Sequence, residues 1–460
     1  MKTKEKVLWG LVALALAANI WLPRQMRYRY TWEKDLSQRL ATEFSATRED
    51  VKAYIGKYIP DVTDAQIDGW TASGLLESRQ VGGRTMYFNE AAANIFRINP
   101  ELAAIKAAAL ERDTAFHAAS GHEAIDSALA PKIRRQVLEN LASGKENPFL
   151  AAPQKMRVTF TMTVPAGTLR PGNKIRCWLP FPKQDIARQT GVRFIEAGAD
   201  GKAYPEESLT FSDPSCPHGS VYLEAKTRRG RPTVFHEVFE YVCSGEWHPL
   251  DSSKVLPYNK ELSDYKEYTA ELDKHVIFTD RIRHLADSLT AGISNPYLQA
   301  RAIYSWIDTN FPWAAARDYS TIENIPEYVL SSGHGDCGQV TLLFITLCRC
   351  KGIPARWQSG WRVHPGGVGM HDWCEVYFEG CGWVPVDQSH GITAGTGDFY
   401  FGGTDPYRLI VNSGLGDDLS PAKKFPRSDF VDFQRGEAEW AGGNLYYTQW
   451  TYDIKVEYAK

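Results

Sequence analysis

The segment Gly335-Asp336-Cys337-Gly338-Gln339 runs straight into Val340-Thr341-Leu342-Leu343-Phe344-Ile345-Thr346-Leu347, and no other stretch limits the fold so strongly. A run with no charge and no polar stripe reads as a helix buried on every side. It stops at Gly352-Ile353-Pro354, a glycine terminator with a following proline. The turn before it sets a lone thiol, Cys337, at the helix's first turn, where backbone N–H groups lack intrahelical partners. Any domain built on this helix must cover it with other elements.

Downstream, the run His371-Asp372-Trp373-Cys374-Glu375-Val376-Tyr377-Phe378-Glu379-Gly380-Cys381-Gly382-Trp383-Val384-Pro385-Val386-Asp387 predicts a hairpin. His371 and Asp387 stand equally far from Glu379, which predicts residues directly opposite, about 4.5–5.5 Å apart. A carboxylate there fixes the imidazole tautomer and leaves the other ring nitrogen for the thiol. The helix dipole and a nearby imidazolium favour thiolate. The Cys337 N–H points toward an oxyanion on an attacked carbonyl. A cysteine, a base and an orienter in these settings are the parts of a nucleophilic acyl-transfer site.

The rest of the chain sets the frame. At 460 residues, two to four domains are expected. A net charge of −3 argues against a nucleic-acid binder, and the basic run Lys226–Arg231 is short and broken by Gly230. Lys2, Lys4 and Lys6 precede an uncharged apolar run from Val7 to Pro23, with a small-x-small cleavage site at Ala15-Leu16-Ala17. Residues 1–23 thus read as a signal peptide or, retained, as an N-terminal membrane anchor, since Arg24, Arg27 and Arg29 follow directly. Both place the chain outside the cytoplasm, as a periplasmic, cell-surface or secreted protein. The eight cysteines form no regular framework; Cys216 with Cys243, or Cys374 with Cys381, are the conceivable pairs.

The period along the chain changes three times. Residues 24–147 are mostly helical, with helices expected over 32–44, 49–58, 64–73 and 100–112 and a Gly82-Gly83 hairpin between Leu75 and Phe88. Short helices followed by a hairpin resemble a winged helix, but an exported chain meets no DNA, so a docking or spacer module is expected. Residues 148–252 turn to period two: Met156, Val158, Phe160, Met162 and Val164 alternate with polar residues, and strands at 175–179, 221–225 and 233–243 predict a β-sandwich. Residues 253–397 return to helices, capped by Thr279 and by Asn295-Pro296, and then to the strands after Cys337, an α+β order. Residues 398–460 read as an extension packed on that core, closing with a strand that alternates from Trp450 to Tyr458.

The segment from about Asn295 to Ser389 resembles the transglutaminase-like superfamily, a papain-like fold. The residues that carry the resemblance are Gly335-Asp336-Cys337-Gly338, the start His371-Asp372-Trp373, and Gly382-Trp383-Val384-Pro385-Val386-Asp387. It implies Cys337 as nucleophile, His371 as general base and then acid, and Asp387 as orienter. The β-rich region before it is similar to the N-terminal β-domain of bacterial members. Members also supply a second oxyanion donor upstream of the cysteine; Trp313 is the candidate, its indole N–H being a donor only, with Gln339 and Gln358 behind it. Cys348-Arg349-Cys350 lacks zinc spacing, no calcium or phosphate loop is read, and no cofactor or metal is expected. The expected function is attack on amide or peptide bonds of a protein, peptide or cell-wall peptide, ending in hydrolysis (a cysteine peptidase or amidase). A true transglutaminase is the alternative, and a non-catalytic surface glycan or peptide binder is a further one. The Gly-rich segment Arg362–Met370 is expected to gate the cleft, with Phe399–Tyr407 as another wall.

Overall fold

The computed structural model describes residues 36–110, 122–390, 398–416 and 419–459. The apolar run of residues 1–23 lies outside them, as do the expected start at Trp32 and end at Arg112 of two helices. Among the described residues, no helix is long and apolar enough to cross a membrane.

Residues 36–43 are helical, and α1 (Arg48–Ile55) and α2 (Asp64–Ala72) follow. Each labelled helix opens on a capping box, Thr47 with Asp50 and Thr63 with Gln66, so two orphan N–H groups are satisfied reciprocally. The hairpin is β1 (Ser78–Val81) and β2 (Arg84–Tyr87). Gly82 and Gly83 stand at φ +58° and +78°, as a two-residue turn with both central residues left-handed requires. Then come α3 (Ala91–Ile98), α4 (Pro100–Leu110) and α5 (His122–Ala142).

The next strands are β3 (Leu150–Val164), β4 (Lys174–Pro180), β5 (Gln189–Ala199), β6 (Lys202–Ala203), β7 (Thr210–Phe211), β8 (Ser220–Lys226) and β9 (Thr233–Trp247). After them run α6 (Ser263–Tyr268), α7 (Asp280–Leu289), α8 (Pro296–Asn310), α9 (Ile325–Ser332) and α10 (Cys337–Cys350). The chain ends with β10 (Ala355–His364), β11 (Gly367–Phe378), β12 (Gly382–Val386), β13 (Gly403–Thr404), β14 (Arg408–Asn412), β15 (Glu437–Trp440), β16 (Gly443–Leu445) and β17 (Thr451–Tyr458).

Gly338 to Arg349 of α10 are all buried. They pack with Ile282 and Ala286 of α7, Ala300, Ile303, Tyr304 and Ile307 of α8, and Cys374, Val376 and Phe378 of β11. Thr279 and Asn295 cap α7 and α8 by accepting from Ile282 N and Leu298 N, each at 3.2 Å. The covering sheet has the order β12-β11-β10-β14. The molecule is thus mixed α/β, with a central helix and several sheets.

Two further sheets, β17-β3-β9-β5-β6 and β16-β15-β4-β8-β7, share one apolar core. The alternating residues of β3 point into it, and so do Trp361, Val363, Leu409 and Val411 from β10 and β14. Residues 398–460 therefore do not pack on the core alone. Tyr452 to Tyr458 pair along β3 and Glu437 to Trp440 along β4, so the tail completes both sheets of the preceding region. Burial of Ile454 and Val456 against that core, and the otherwise open edge of β3, account for this. The expected gate at Arg362–Met370 is the closed end of the β10–β11 hairpin, paired to His364↔Gly367 across Pro365-Gly366, and Phe399 to Phe401 are buried. Neither conceivable disulfide, Cys216 with Cys243 or Cys374 with Cys381, is formed.

Candidate active site

Asp336 makes α10 start where it does. Its carboxylate accepts from Gln339 N at 2.9 Å while Gln339 Oε1 accepts from Asp336 N at 3.1 Å. The incoming chain is held by a parallel bridge of Trp313 to Gly335, with Ala314 N donating to Gly335 O at 3.1 Å. Cys337 is the first residue of the helix, half-buried, with its N–H in the turn that has no intrahelical acceptor.

The thiol donates to Asp372 Oδ2 at 3.4 Å. The same carboxyl is held from two other sides. Gln434 Nε2 donates to Asp372 Oδ1 and to His371 O, both at 2.7 Å. The Tyr319 hydroxyl lies 3.2 Å from Asp372 Oδ2 and 2.8 Å from Asp336 Oδ1. Gly338 makes this closeness possible, for a Cβ there would meet the Tyr319 hydroxyl and stand 2.6 Å from Asp372 Oδ2.

His371 Nε2 bonds Asp387 Oδ2 at 2.6 Å, and both residues are buried. They are not directly opposite. Cys374 pairs with Val386 and Phe378 with Gly382, so the hairpin is centred on Gly380 and the two meet diagonally. The turn, with Gly380 at φ +87° and Gly382 at φ +86°, is thus centred one residue beyond Glu379, from which His371 and Asp387 are equally distant in sequence. Arg408 donates to Asp387 Oδ2 from Nη2 at 3.0 Å and Nε at 3.2 Å, and Ser389 donates to Oδ1 from Oγ at 2.8 Å. Asp387 is thereby held by donors on both of its oxygens.

The electrostatics depart from expectation at the sulfur. Burial first, then the carboxylates of Asp372 and Asp336, push the Cys337 thiol well above its ordinary value. Asp372 is itself pushed up by burial and by Asp432 and Asp336. Burial raises Asp336 to about 6. His371 is lowered, because burial and the nearby Arg408 and Arg362 outweigh Asp387. The resting site therefore favours a neutral thiol and a neutral imidazole.

The structure brings His371 and Asp387 together and gives the hydrogen bond of Cys337 to Asp372. As successive residues of β11, His371 and Asp372 leave the strand on opposite sides. Trp313 is 50% exposed, bridged to Gly335, its ring under the Arg97 guanidinium at 5.1 Å. Gln339 is buried, with Nε2 unpartnered among the described residues, whereas Gln358 Oε1 is taken by Trp373 Nε1 at 2.7 Å. Sequence reasoning missed Asp372, Tyr319, Gln434 and Arg408. A signal existed for Asp372 alone: period two puts it on one face with Cys374, Val376 and Phe378, a carboxyl heading an apolar stripe. Among the described residues, no group of three or more His, Cys, Asp or Glu is arranged to hold a metal ion.

The profile of the Transglutaminase-like superfamily matches residues 283–388. The uncharacterized protein YebA of Bacillus subtilis is 24% identical over 164 residues, which span 32% of this chain and 22% of YebA. An uncharacterized protein of Haemophilus influenzae is 26% identical over 260 residues, 50% of this chain and 67% of that protein. A solved structure from Cytophaga hutchinsonii, provisionally named a cysteine protease, aligns at 16% identity and a TM-score of 0.44, over 68% of this chain and 92% of that one. The segment similar to that superfamily, residues 283–388, holds Cys337, His371 and Asp387.

Proposed function

We propose that this chain is an extracytoplasmic thiol enzyme that attacks amide or peptide bonds through Cys337, His371 and Asp387. The carrying observation is the His371 Nε2–Asp387 Oδ2 bond of 2.6 Å, in the same matched domain as a cysteine at the first turn of a buried helix. With Nε2 committed to Asp387, Nδ1 is the ring atom that exchanges a proton with sulfur. Sulfur adds to the carbonyl carbon, the ring takes the thiol proton and passes it to the departing amine, and a thioester remains on Cys337. Water then adds, releases the acid and returns the proton to sulfur, which makes the enzyme a peptidase or amidase. The oxyanion is met by the Cys337 N–H and, as second donor, by Trp313. Residues 148–252 serve as a β-sandwich scaffold and residues 24–147 as a docking module. The apolar run at residues 7–23 supports an exported or anchored chain.

The substrate class is a protein, a peptide or a cell-wall peptide. An amine in place of water would make the same thioester chemistry a transglutaminase. A non-catalytic peptide binder is the reading that the raised thiol favours. One experiment separates all three. The protein is incubated with peptide and cell-wall libraries, acid-quenched and weighed by mass spectrometry. An acyl group on Cys337 that added amine does not capture supports hydrolysis, an amide product with the added amine supports transfer, and no adduct supports binding alone.

A further inference from the structure

Asp372 is a buried ionisable group hydrogen-bonded to the nucleophile, and no step above uses it. We propose that Asp372 is a further residue acting on Cys337, holding its S–H and keeping the resting nucleophile in its neutral, unreactive form. The inference rests on Cys337 being the nucleophile of the proposed function and adds how that nucleophile is restrained.

Four observations carry it. The thiol's hydrogen bond runs to Asp372 Oδ2 at 3.4 Å. The carboxyl cannot swing away, because Gln434 holds Oδ1 at 2.7 Å and Tyr319 stands at 3.2 Å from Oδ2. Asp372 is 2% exposed, so solvent does not screen it. The space for the arrangement exists only because residue 338 has no side chain.

The chemistry follows from sharing. When a thiol and a carboxyl touch, the first negative charge of the pair settles on the stronger acid, the carboxyl, and the remaining proton stays on sulfur. A second charge would place thiolate against carboxylate in a buried site. The groups around the pair add to this. Asp336 from the start of α10, Asp387 beyond β12 and Asp432 beside Gln434 are all acids, and Tyr319 is a neutral hydroxyl. Sulfur becomes a nucleophile only when it leaves Asp372; on the proposed function its proton then goes to the His371 ring, forming thiolate and imidazolium, and the Asp372 carboxyl neither gains nor loses a proton. In the resting state no covalent bond changes.

The test compares wild-type protein with Asp372→Asn, which keeps the size and removes the ionisable carboxyl. Iodoacetamide labelling of Cys337 is followed by peptide mass across pH. The thiolate midpoint is expected to fall by about one pH unit in the variant, so labelling near neutral pH rises about tenfold. Equal midpoints in the two proteins overturn the role of Asp372 and leave the proposed function standing. A Cys337 that labels in neither protein, at a pH where a free thiol reacts, overturns both. Should the variant fail to fold, the wild-type protein still decides: its S–H infrared stretch, isolated by subtracting a Cys337→Ser spectrum, is expected at the lowered frequency of a hydrogen-bonded thiol. An unshifted band would sink the inference.

Discussion

The residues that matter most here are buried charges that hold one another in place. Asp387 is acceptor to His371, Arg408 and Ser389 at once, and Arg408 also pairs with Asp405. Such an arrangement orients the imidazole but depends on every partner, since a buried charge left alone is costly. Arg408→Met is expected to destabilise the protein by about 3–5 kcal/mol, because Asp387 and Asp405 lose their cation. In the variant that still folds, the His371 pKa rises, because a neighbouring positive charge that lowers it is gone. The acid limb of Cys337 reactivity then moves to higher pH, which a pH profile of labelling reads directly; an unmoved limb would show that Arg408 does not act on the ring. The helix start at Cys337 and the meeting of His371 with Asp387 were legible from the chain alone because each sits in a short motif with a local reason. Arg408 and Gln434 were not legible, because each reaches the site from a distant segment and no local spacing records that.

At the scale of elements, period and capping were the readable signals. The helices opened by Thr47, Thr63, Thr279 and Asn295 begin where side chains can accept from the first turn, and β3 alternates as its sequence does. Strand partners were not readable. The register of β11 with β12 missed by one residue at the turn, and β17 pairs with β3 although residues 165–450 lie between them. One strand also carries a conflict with its surroundings. Glu237 lies on β9 inside the two-sheet core, fully buried, with neither carboxylate oxygen partnered among the described residues. Burial pushes its pKa well above the usual value. The folded chain thus keeps a proton that the unfolded chain releases near about pH 4.3. The contribution of Glu237 to stability is therefore fully present below that pH and falls as pH rises toward the folded value, by about 1.4 kcal/mol per pH unit at most. Glu237→Gln is expected to flatten this slope in urea-unfolding measurements; an unchanged slope would mean that the carboxyl finds a partner.

At the scale of the whole molecule, the segment that leads to Cys337 is gripped by the N-terminal helices. The Asn94 side chain of α3 donates to Ala315 O and accepts from Ala315 N, each at 2.9 Å. Glu77 pairs with Arg317 at 2.9 Å and accepts from the Tyr328 hydroxyl at 2.9 Å. Asn94→Ala leaves one backbone donor and one acceptor unpaired, a loss of about 1–3 kcal/mol. Limited proteolysis should then cut the helical region sooner; an unchanged cleavage rate would show that these contacts do not hold it. The two-sheet core, the tail and the sheet behind the thiol share residues such as Trp361 and Leu409, so the site is built by the chain as a whole rather than by its matched domain alone. The central claim remains that Cys337 takes the acyl group. The direct measurement is incubation with p-nitrophenyl acetate, rapid quench and peptide mass mapping. One acetyl group is expected, on Cys337, formed with a matching release of nitrophenolate and slowed at least about a thousandfold in His371→Ala. Acetyl groups scattered over lysines, with Cys337 unmodified and His371→Ala no different from wild type, would contradict it.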